Sequence, residues 1–336
     1  MHINMKRLAQ ELNLSIATVS RALQDSYNVS SYTKKRVLAL AEKLNYHPNL
    51  FASSLRAQKS KTIAVIIPEI DNNFFSLVIK GIEEIAQEKG YHVLIYLTHE
   101  NVQKEISFTR NLQSGRVDGV LISVSSETDN IDHLLELQEN KIPIFFFDRV
   151  CEMLNSPKVT TDDYESGYNA TEHLIKNGCK RIAYLQVSKT LSIGKNRLKG
   201  YLHALEKNNI SYDEALVING KNKNEDNYAV IKNLLTSDNP PDGIFASVES
   251  LAITAYNVCK DLGIYIPDNL KIISFSNLIT APLLSPSLTT ITQPAFNIGK
   301  EAATILFQLL KKNSYYHKKN IVLSSTLIKR DSTGKT

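Results

Sequence analysis

The sequence predicts a small all-helical domain followed by an α/β domain made of two doubly wound, parallel-sheet lobes. Within the first 60 residues, short amphipathic segments begin at helix-capping residues. From Thr62 onward, short apolar runs alternate with amphipathic stretches. The charge is divided in the same way: residues 1–60 hold nine Lys or Arg against three Asp or Glu, although the whole chain has 39 against 34. The positive excess therefore lies entirely in the first, helical part.

Length and composition restrict the class of protein. A chain of 336 residues with 43% hydrophobic and 22% charged residues is typical of a folded globular protein of two or three domains. No apolar run is long enough to span a membrane, and no apolar segment follows a basic start, so we expect a cytoplasmic protein. Three cysteines without CxxC spacing, Cys151, Cys179 and Cys259, predict reduced thiols and no zinc site.

Three short helices are predicted in the first domain. Asn4 is a candidate N-cap for a helix from Met5 to Leu12, which Asn13 ends. Ser15 caps a second helix, Ile16 to about Leu23, with Leu14 and Val19 placed as a hydrophobic staple. A third helix follows Ser30, and its apolar residues have helical spacing: Val37, Leu40, Ala41 and Leu44.

The second helix has two different faces. Val19, Ala22 and Leu23 form its apolar side, which leaves a small and basic side made of Ile16, Ala17, Ser20 and Arg21. Such a side fits the major groove of DNA, because small residues approach base edges and an Arg pairs with guanine or phosphate. Two alternatives remain at this point: a solvated basic face without a partner, and a three-helix cap that binds nothing.

In the larger domain the strand candidates are almost continuously apolar, as parallel strands covered on both faces require. Helices are predicted between them, for example Phe74 to Lys89 and Tyr164 to Asn177. The seven candidates are IAVIIP at Ile63, HVLIYL at His92, VDGVLIS at Val117, IPIFFFD at Ile142, RIAYLQV at Arg181, DGIFAS at Asp242 and LKIISFS at Leu270.

Catalytic and cofactor motifs are missing from the sequence. GxGxxG, a P-loop GKS/T, GxSxG and HExxH do not occur in a suitable context. We therefore expect neither an enzyme nor a bound cofactor or catalytic metal. A sugar-metabolising α/β enzyme is one rival that this argues against. An exported solute-binding protein is the other, and the basic helical domain argues against it.

Specific segments of the first 60 residues resemble the DNA-binding headpiece of the LacI/GalR family of bacterial regulators: LNLSIATVSRAL from Leu12, NVSSYTKKRVLALAEKLNYHPN from Asn28 and HPNLFASSLRAQKSKTI from His47. The last one resembles the family's hinge helix, with Asn49 as a cap. The resemblance implies that this short helix forms only on DNA, where Leu55 enters the minor groove beside Arg56. The expected DNA-binding residues are Ile16, Ala17, Thr18, Ser20, Arg21, Asn28, Leu55 and Arg56.

The remaining chain resembles the type I periplasmic-binding-protein core that the same family carries. The matching segments are IIPEIDNNFF from Ile66, RVDGVLI from Arg116, FFDR from Phe146, TEHLIKNGCKRIAYL from Thr171, NRLKGY from Asn196 and SPSLTTITQP from Ser285. In this fold the chain crosses between two lobes three times and binds an effector in the cleft. The implied effector-binding residues are Phe74, Phe75, Ser123, Asp148, Arg149, Arg197, Glu249 and Ser276.

The resemblance also implies an organisation and a function. We expect a headpiece at 1–47, a hinge at 48–61 and a core at 62–331. Its N-lobe is predicted at about 62–160 and 293–322, and its C-lobe at about 161–292 and 323–331. The expected protein is a homodimeric regulator of transcription, a repressor, which binds near-palindromic double-stranded operator DNA and no membrane. A sugar or sugar phosphate is the expected allosteric effector.

Three features of the core depart from the family pattern. The family often has an aspartate in a GYDN-like segment, but this chain reads FSN from Phe275, so Ser276 replaces a carboxylate that accepts ligand hydrogen bonds. Glu249 stands where an aspartate is common. Leu191 and Ile193, ahead of Arg197, are more apolar than in some relatives. The effector of other family members therefore does not transfer directly to this chain.

Overall fold

The computed structural model describes residues 4–23, 25, 27–46, 59–186, 188–221, 224–311 and 319–334. The chain divides into two compact units, Met1–Ser60 and Lys61–Thr336.

The first unit contains three helices: α1 (Met5–Leu12), α2 (Ile16–Leu23) and α3 (Ser31–Lys43). Asn4 caps α1 by accepting a hydrogen bond from the Arg7 N–H, and Asn13 ends the helix in the left-handed conformation with φ 52°. The Thr18 N–H donates to Ser15 Oγ at the start of α2. These contacts explain the helix boundaries, because each cap satisfies a backbone N–H that has no partner inside its helix.

A small apolar core joins the three helices. Leu8, Val19 and Val37 contribute one fully buried side chain from each helix. Leu14 and Leu23 pack against the same cluster. The inward face predicted for the second helix is therefore confirmed.

The second unit contains two six-stranded sheets. The first sheet is parallel throughout, in the order β11-β5-β4-β3-β1-β2. Its strands are β1 (Thr62–Ile67), β2 (His92–Leu97), β3 (Gly119–Ile122), β4 (Ile144–Phe147), β5 (Lys158–Thr161) and β11 (Asn320–Leu323).

The second sheet has the order β12-β10-β9-β8-β6-β7, and β12 alone runs antiparallel to its neighbour. Its strands are β6 (Ile182–Gln186), β7 (Val217–Asn219), β8 (Gly243–Ala246), β9 (Lys271–Phe275), β10 (Thr289–Thr292) and β12 (Thr326–Ile328). We call the part built on the first sheet the N-lobe, and the part built on the second sheet the C-lobe.

Helices cover both faces of both sheets, which confirms the predicted fold class. The helices are α4 (Asn73–Glu88), α5 (Val102–Leu112), α6 (Asp132–Glu139), α7 (Asp163–Lys176), α8 (Ser192–Lys207), α9 (Asn224–Leu235), α10 (Glu249–Leu262) and α11 (Ala295–Leu310). In the N-lobe, α4 and α11 pack on one face, whereas α5 and α6 pack on the other. In the C-lobe, α7 and α8 share one face, and α9 and α10 the other.

The chain crosses between the lobes at three places: after β5, after β10, and between β11 and β12. Five strands were absent from the seven sequence candidates, namely β5, β7, β10, β11 and β12. They have three or four residues each, and KVTT or TTIT lacks the long apolar run of a central strand. The two helices predicted by their ends, at 74–89 and 164–177, each begin and end one residue earlier in the structure.

Among the described residues, none of the helices is long and apolar enough to cross a membrane. The three cysteines are buried and unpaired. In the same described part of the chain, no group of three or more His, Cys, Asp and Glu side chains is arranged to hold a metal ion.

Candidate functional site

The predicted DNA-binding face of α2 points away from the small core. Ile16, Ala17 and Arg21 are exposed, and Thr18 and Ser20 are half-buried. Asn28 is exposed in the turn before α3. The structure therefore places these six predicted residues on the surface of the first unit, whereas Leu55, Arg56 and the hinge-helix prediction lie outside the described residues.

Thr18 has a structural function in addition to the predicted one. Its hydroxyl lies 2.8 Å from Ser15 Oγ, so the two hydroxyls share a hydrogen bond at the start of α2. The prediction from sequence did not include Tyr27, an aromatic residue directly before Asn28 that is 92% exposed to solvent. Exposure of an aromatic side chain is visible only in the structure, because sequence spacing does not show which turn residues are covered.

The predicted effector-binding residues come together in a cleft between the two lobes. The cleft lies beyond the carboxyl ends of several strands, where ligands bind in open parallel α/β sheets. Its walls are formed by Asn72, Phe74, Phe75, Asp148, Arg149, Ile193, Arg197, Ser247, Val248, Glu249, Phe275, Ser276, Asn277 and Gln293.

Seven of the eight predicted effector residues line this cleft, and Ser123 does not. Ser123 is fully buried at the end of β3, where its hydroxyl accepts a hydrogen bond from the Arg149 N–H at 3.4 Å. Its side chain therefore supports the segment that carries Arg149.

On the N-lobe side, Asp148 and Arg149 directly follow β4. Asp148 has a left-handed backbone conformation with φ 59°, which is uncommon for residues other than glycine and is tolerated best by Asn and Asp. Arg149 Nη1 donates to Glu100 Oε1 at 2.6 Å. Its guanidinium carbon lies 5.9 Å from the centre of the Phe75 ring. The N-lobe thus presents a cation between an aromatic ring and an acidic residue.

On the C-lobe side, Arg197 projects from α8 and is 2% exposed. Its Nε donates to Asp163 Oδ1 at 2.7 Å, and its Nη1 donates to the Ser247 carbonyl at 2.6 Å. The guanidinium carbon lies 3.6 Å from the centre of the Phe275 ring. These contacts fix the planar guanidinium in one orientation at the cleft.

Two glycines allow α8 to approach α7 closely enough for this arrangement. A Cβ added to Gly167 would lie 2.5 Å from the Arg197 carbonyl oxygen, and one added to Gly200 would collide with the Tyr164 carbonyl oxygen. Larger side chains at either position would therefore push apart the helices that carry Asp163 and Arg197.

Burial changes the acidity of the two aspartates. It raises the pKa of Asp148 to about 6, because loss of solvent outweighs the stabilising charges of Arg197 and Arg149. Burial also raises the pKa of Asp163, although the adjoining Arg197 guanidinium opposes the change. The Asp148 carboxyl group, with its pKa of about 6, therefore loses its proton close to neutral pH.

Three buried polar atoms on residues that line the cleft have no hydrogen-bond partner among the described residues. They are Arg149 Nε, Arg197 Nη2 and Asn277 Oδ1. Buried polar groups are nearly always hydrogen-bonded, and leaving one without a partner costs about 1–3 kcal/mol. This set of two donors and one acceptor indicates a ligand site.

The prediction from sequence missed several residues of the cleft. Asn72 caps α4, where its side chain accepts from the Phe74 N–H at 2.8 Å. Asn277 donates from Nδ2 to the Gln293 carbonyl at 2.8 Å, which connects the ends of β9 and β10. Asn277 could have been found because it directly follows Ser276, but Gln293 follows a strand that the sequence did not predict.

The beginning of α8 joins the two lobes. Leu191 and Ile193 belong to the same buried cluster as Val150 of the N-lobe. Two hydrogen bonds accompany this packing: the Val150 N–H donates to Ser192 Oγ at 3.4 Å, and Thr190 Oγ1 donates to the Ser126 carbonyl at 3.0 Å. The apolar residues that depart from the family pattern therefore lie between the lobes.

Comparisons with known proteins fit this architecture. Residues 4–49 match the family model described as bacterial regulatory proteins, lacI family, and residues 171–333 match that of a periplasmic binding protein-like domain. The transcriptional repressor CytR of Escherichia coli is 32% identical over 308 residues, which are 91% of this chain and 89% of CytR. The chain belongs to the LacI family. Members of this family regulate transcription through operator DNA.

Solved structures of LacI-family proteins agree with the fold. The lac repressor dimer bound to operator and an anti-inducer matches with a TM-score of 0.87 at 22% identity, over 100% of both chains, which shows a common fold. A LacI family transcriptional regulator from Enterococcus faecium with bound ribose has a TM-score of 0.71 at 28% identity, over 81% of this chain and 98% of that one.

Proposed function

We propose that this LacI-family regulator is a homodimeric repressor that binds a near-palindromic operator. Its affinity for the operator falls or rises when a carbohydrate binds in the cleft. The observation that carries this proposal is the cleft itself, where Arg149 and Arg197 from opposite lobes present unpartnered donors. The Enterococcus faecium relative binds ribose, which supports a sugar as the ligand class.

The DNA-binding half of the proposal is supported by the first unit. Ile16, Ala17 and Arg21 are exposed on α2, and the excess positive charge of the chain lies in residues 1–60. We infer that α2 enters the major groove, where Arg21 contacts a base or a phosphate. Leu55 and Arg56 are proposed to contact the minor groove, as the family resemblance implies.

The homodimer is supported by exposed apolar side chains on the C-lobe. Ile279 is 76% exposed and Leu283 is 80% exposed, and the two lie four residues apart in the segment between β9 and β10. A twofold dimer would cover this surface on both copies and would present two headpieces to the two halves of a palindrome.

The cleft is proposed to bind and not to catalyse. Asp163 is paired with Arg197, and Glu100 with Arg149, and the proteins that the chain resembles are regulators of transcription. We propose that the protein needs no cofactor and that it acts in the cytoplasm, where bacterial DNA is found.

The main test combines operator selection with effector addition. Operator DNA is selected from a random library with the full-length protein, and affinity is measured by fluorescence anisotropy. We expect one near-palindromic sequence to dominate, and its affinity to fall steeply with salt because each phosphate contact releases counterions. A sugar that binds the cleft should change operator affinity about 5- to 150-fold, the usual range of allosteric coupling.

A matched pair of variants assigns the two activities to the two sites. Arg21→Ala should weaken operator binding while the protein still binds the sugar, and Phe74→Ala should leave operator binding intact while it weakens sugar binding. Equal, weak binding to all DNA sequences would contradict the proposal. A reporter gene under the selected operator distinguishes repression from activation.

A further inference from the structure

We propose that Glu249 is the residue that selects the effector. Together with Asn277 it forms a pair of hydrogen-bond acceptors, which we call the acceptor wall, and this pair favours an uncharged sugar over a sugar phosphate. This inference rests on the proposed function, because it concerns the same cleft. It goes beyond that function by naming a selecting residue and by deciding between the two classes of carbohydrate.

Glu249 is held in the cleft by two donors at the end of β9. Its Oε2 accepts from Ser276 Oγ at 2.8 Å and from the Asn277 N–H at 3.2 Å. No described residue donates to the other oxygen, Oε1. Ser276, which stands in place of a carboxylate, therefore positions a carboxylate that comes from the first turn of α10 instead.

The charges around the cleft leave little attraction for an anion. Each guanidinium already has its own carboxylate: Arg197 is paired with Asp163 at 2.7 Å, and Arg149 with Glu100 at 2.6 Å. The remaining charged residues of the lining are Asp148 and Glu249, both acidic. A phosphate group would therefore meet two carboxylates and no guanidinium without a partner.

Hydroxyl groups satisfy the unpartnered atoms better than a phosphate does. Arg149 Nε and Arg197 Nη2 need acceptors, whereas Asn277 Oδ1 needs a donor. A sugar hydroxyl serves as donor and acceptor at once, whereas a phosphate dianion only accepts. Two neighbouring hydroxyls could donate to Glu249 Oε1 and Asn277 Oδ1, because the Asn277 N–H bonds the same Glu249 carboxylate and so holds the two residues side by side.

The apolar lining of the cleft restricts the ligand further. Phe74, Phe75 and Phe275 supply flat apolar surfaces in the same cleft as the polar groups. An apolar face of a sugar ring can pack on such aromatic surfaces while its hydroxyls reach the polar atoms. The expected ligand is therefore a sugar ring with free hydroxyls.

Calorimetric titration of the full-length protein tests the selection with three matched pairs: ribose and ribose 5-phosphate, glucose and glucose 6-phosphate, and fructose and fructose 6-phosphate. We expect at least one uncharged sugar to bind, and its phosphate to bind at least about tenfold more weakly, the effect of one good charged hydrogen bond. A phosphate that binds as well as its sugar overturns the inference and leaves the proposed function standing. If none of the six compounds binds, the carbohydrate part of the proposed function fails as well.

Substitution of Glu249 isolates its contribution. Glu249→Gln should lower the affinity for the best uncharged sugar about tenfold and should reduce the preference over its phosphate. Ser276→Ala should have the same effect to a smaller extent, because it removes one of the two donors that position the carboxylate. The matched control is Glu225→Gln, an exposed acid in the first turn of α9, which should change neither value.

Thermal unfolding of each variant shows whether it is folded before binding is measured. An unchanged affinity and an unchanged preference in folded Glu249→Gln would overturn the role of Glu249. Should that variant fail to fold, Ser276→Ala carries the same test, and an unchanged preference there would contradict the acceptor wall.

Discussion

On each side of the cleft, a guanidinium lies near a phenylalanine ring and is paired with a carboxylate of its own lobe, yet the two sides differ in burial. In the C-lobe, Arg197 and Asp163 are 2% and 3% exposed in their side chains. In the N-lobe, Arg149 is 4% exposed, but its partner Glu100 is 24% exposed.

The ring contacts differ in the same direction. The guanidinium carbon lies 3.6 Å from the ring centre for Arg197 and 5.9 Å for Arg149. We infer that the C-lobe side is the more firmly fixed half of the site, because its charges are fully removed from water. Removal of a partner there is expected to cost more than on the N-lobe side.

The largest effect is expected when the buried C-lobe pair is broken. Arg197→Met leaves the Asp163 carboxylate buried without its partner, so the free energy of unfolding should fall by about 3–5 kcal/mol, as measured by urea denaturation. The double variant Arg197→Met with Asp163→Asn should recover much of this loss and still show no response to sugar. A single variant that loses less than about 1 kcal/mol would contradict the comparison.

A pH-dependent effect is expected at Asp148, which lies against both guanidinium groups. Its pKa is about 6 in the folded protein against 3.8 ordinarily, so the folded state binds the proton more tightly and stability falls as the pH rises from about 4 through 6. Asp148→Asn should therefore stabilise the protein at pH 8 by up to about 3 kcal/mol. This gain should vanish near pH 4, as thermal unfolding across the pH range would show.

Close packing of α7 and α8 gives a third test of the C-lobe side. Gly200→Ala introduces a Cβ that collides with the backbone of α7, and overpacking of this kind costs about 1–3 kcal/mol. Sugar affinity should fall as well, because the displaced helix carries Arg197. Lys199→Ala, an exposed neighbour on α8, is the control and should leave both quantities unchanged.

The smallest effect is expected on the N-lobe side. Glu100→Gln removes the charge that faces Arg149, but Glu100 is partly exposed and Asp148 also lies 4.0 Å from Arg149, so the loss should be about 1–2 kcal/mol in urea denaturation. The comparison between the lobes would be wrong if this variant lost as much stability as Arg197→Met.

The headpiece could be predicted from sequence almost residue by residue, because its helix ends are local. Asn4 and Ser15 each accept a hydrogen bond from a backbone N–H three residues further on, so the capping residue and its partner are neighbours in the chain. The missed strands show the opposite case. β5 and β10 are short and partly polar, and each pairs with a strand that comes much later in the chain, Lys158 with Asn320 and Thr290 with Ile328.

The cleft follows the same division. Most of its residues were predicted through the ends of apolar strands and the family motifs. The end of a strand shows that a residue lies at the carboxyl edge of the sheet, but it does not show in which direction the side chain points. Ser123 directly follows β3 at this edge, yet its hydroxyl accepts a hydrogen bond from the Arg149 N–H and does not line the cleft. Gln293 donates to Thr161 Oγ1 at 3.0 Å across 132 residues of sequence, a contact that no local pattern reveals.

The order in which the lobes obtain their parts has a consequence for synthesis of the chain on the ribosome. Helix α11 covers one face of the N-lobe sheet with Ile298, Ala302 and Leu306, yet it follows β10, the last parallel strand of the C-lobe. Most of the N-lobe therefore emerges first, with α4 but not α11 on this face, and part of the face stays uncovered while the C-lobe is being made. Apart from its edge strand β12, the C-lobe comes from one continuous stretch of chain. All its other strands and its helices are therefore available before α11 and β11 complete the N-lobe, although most of the N-lobe is translated first.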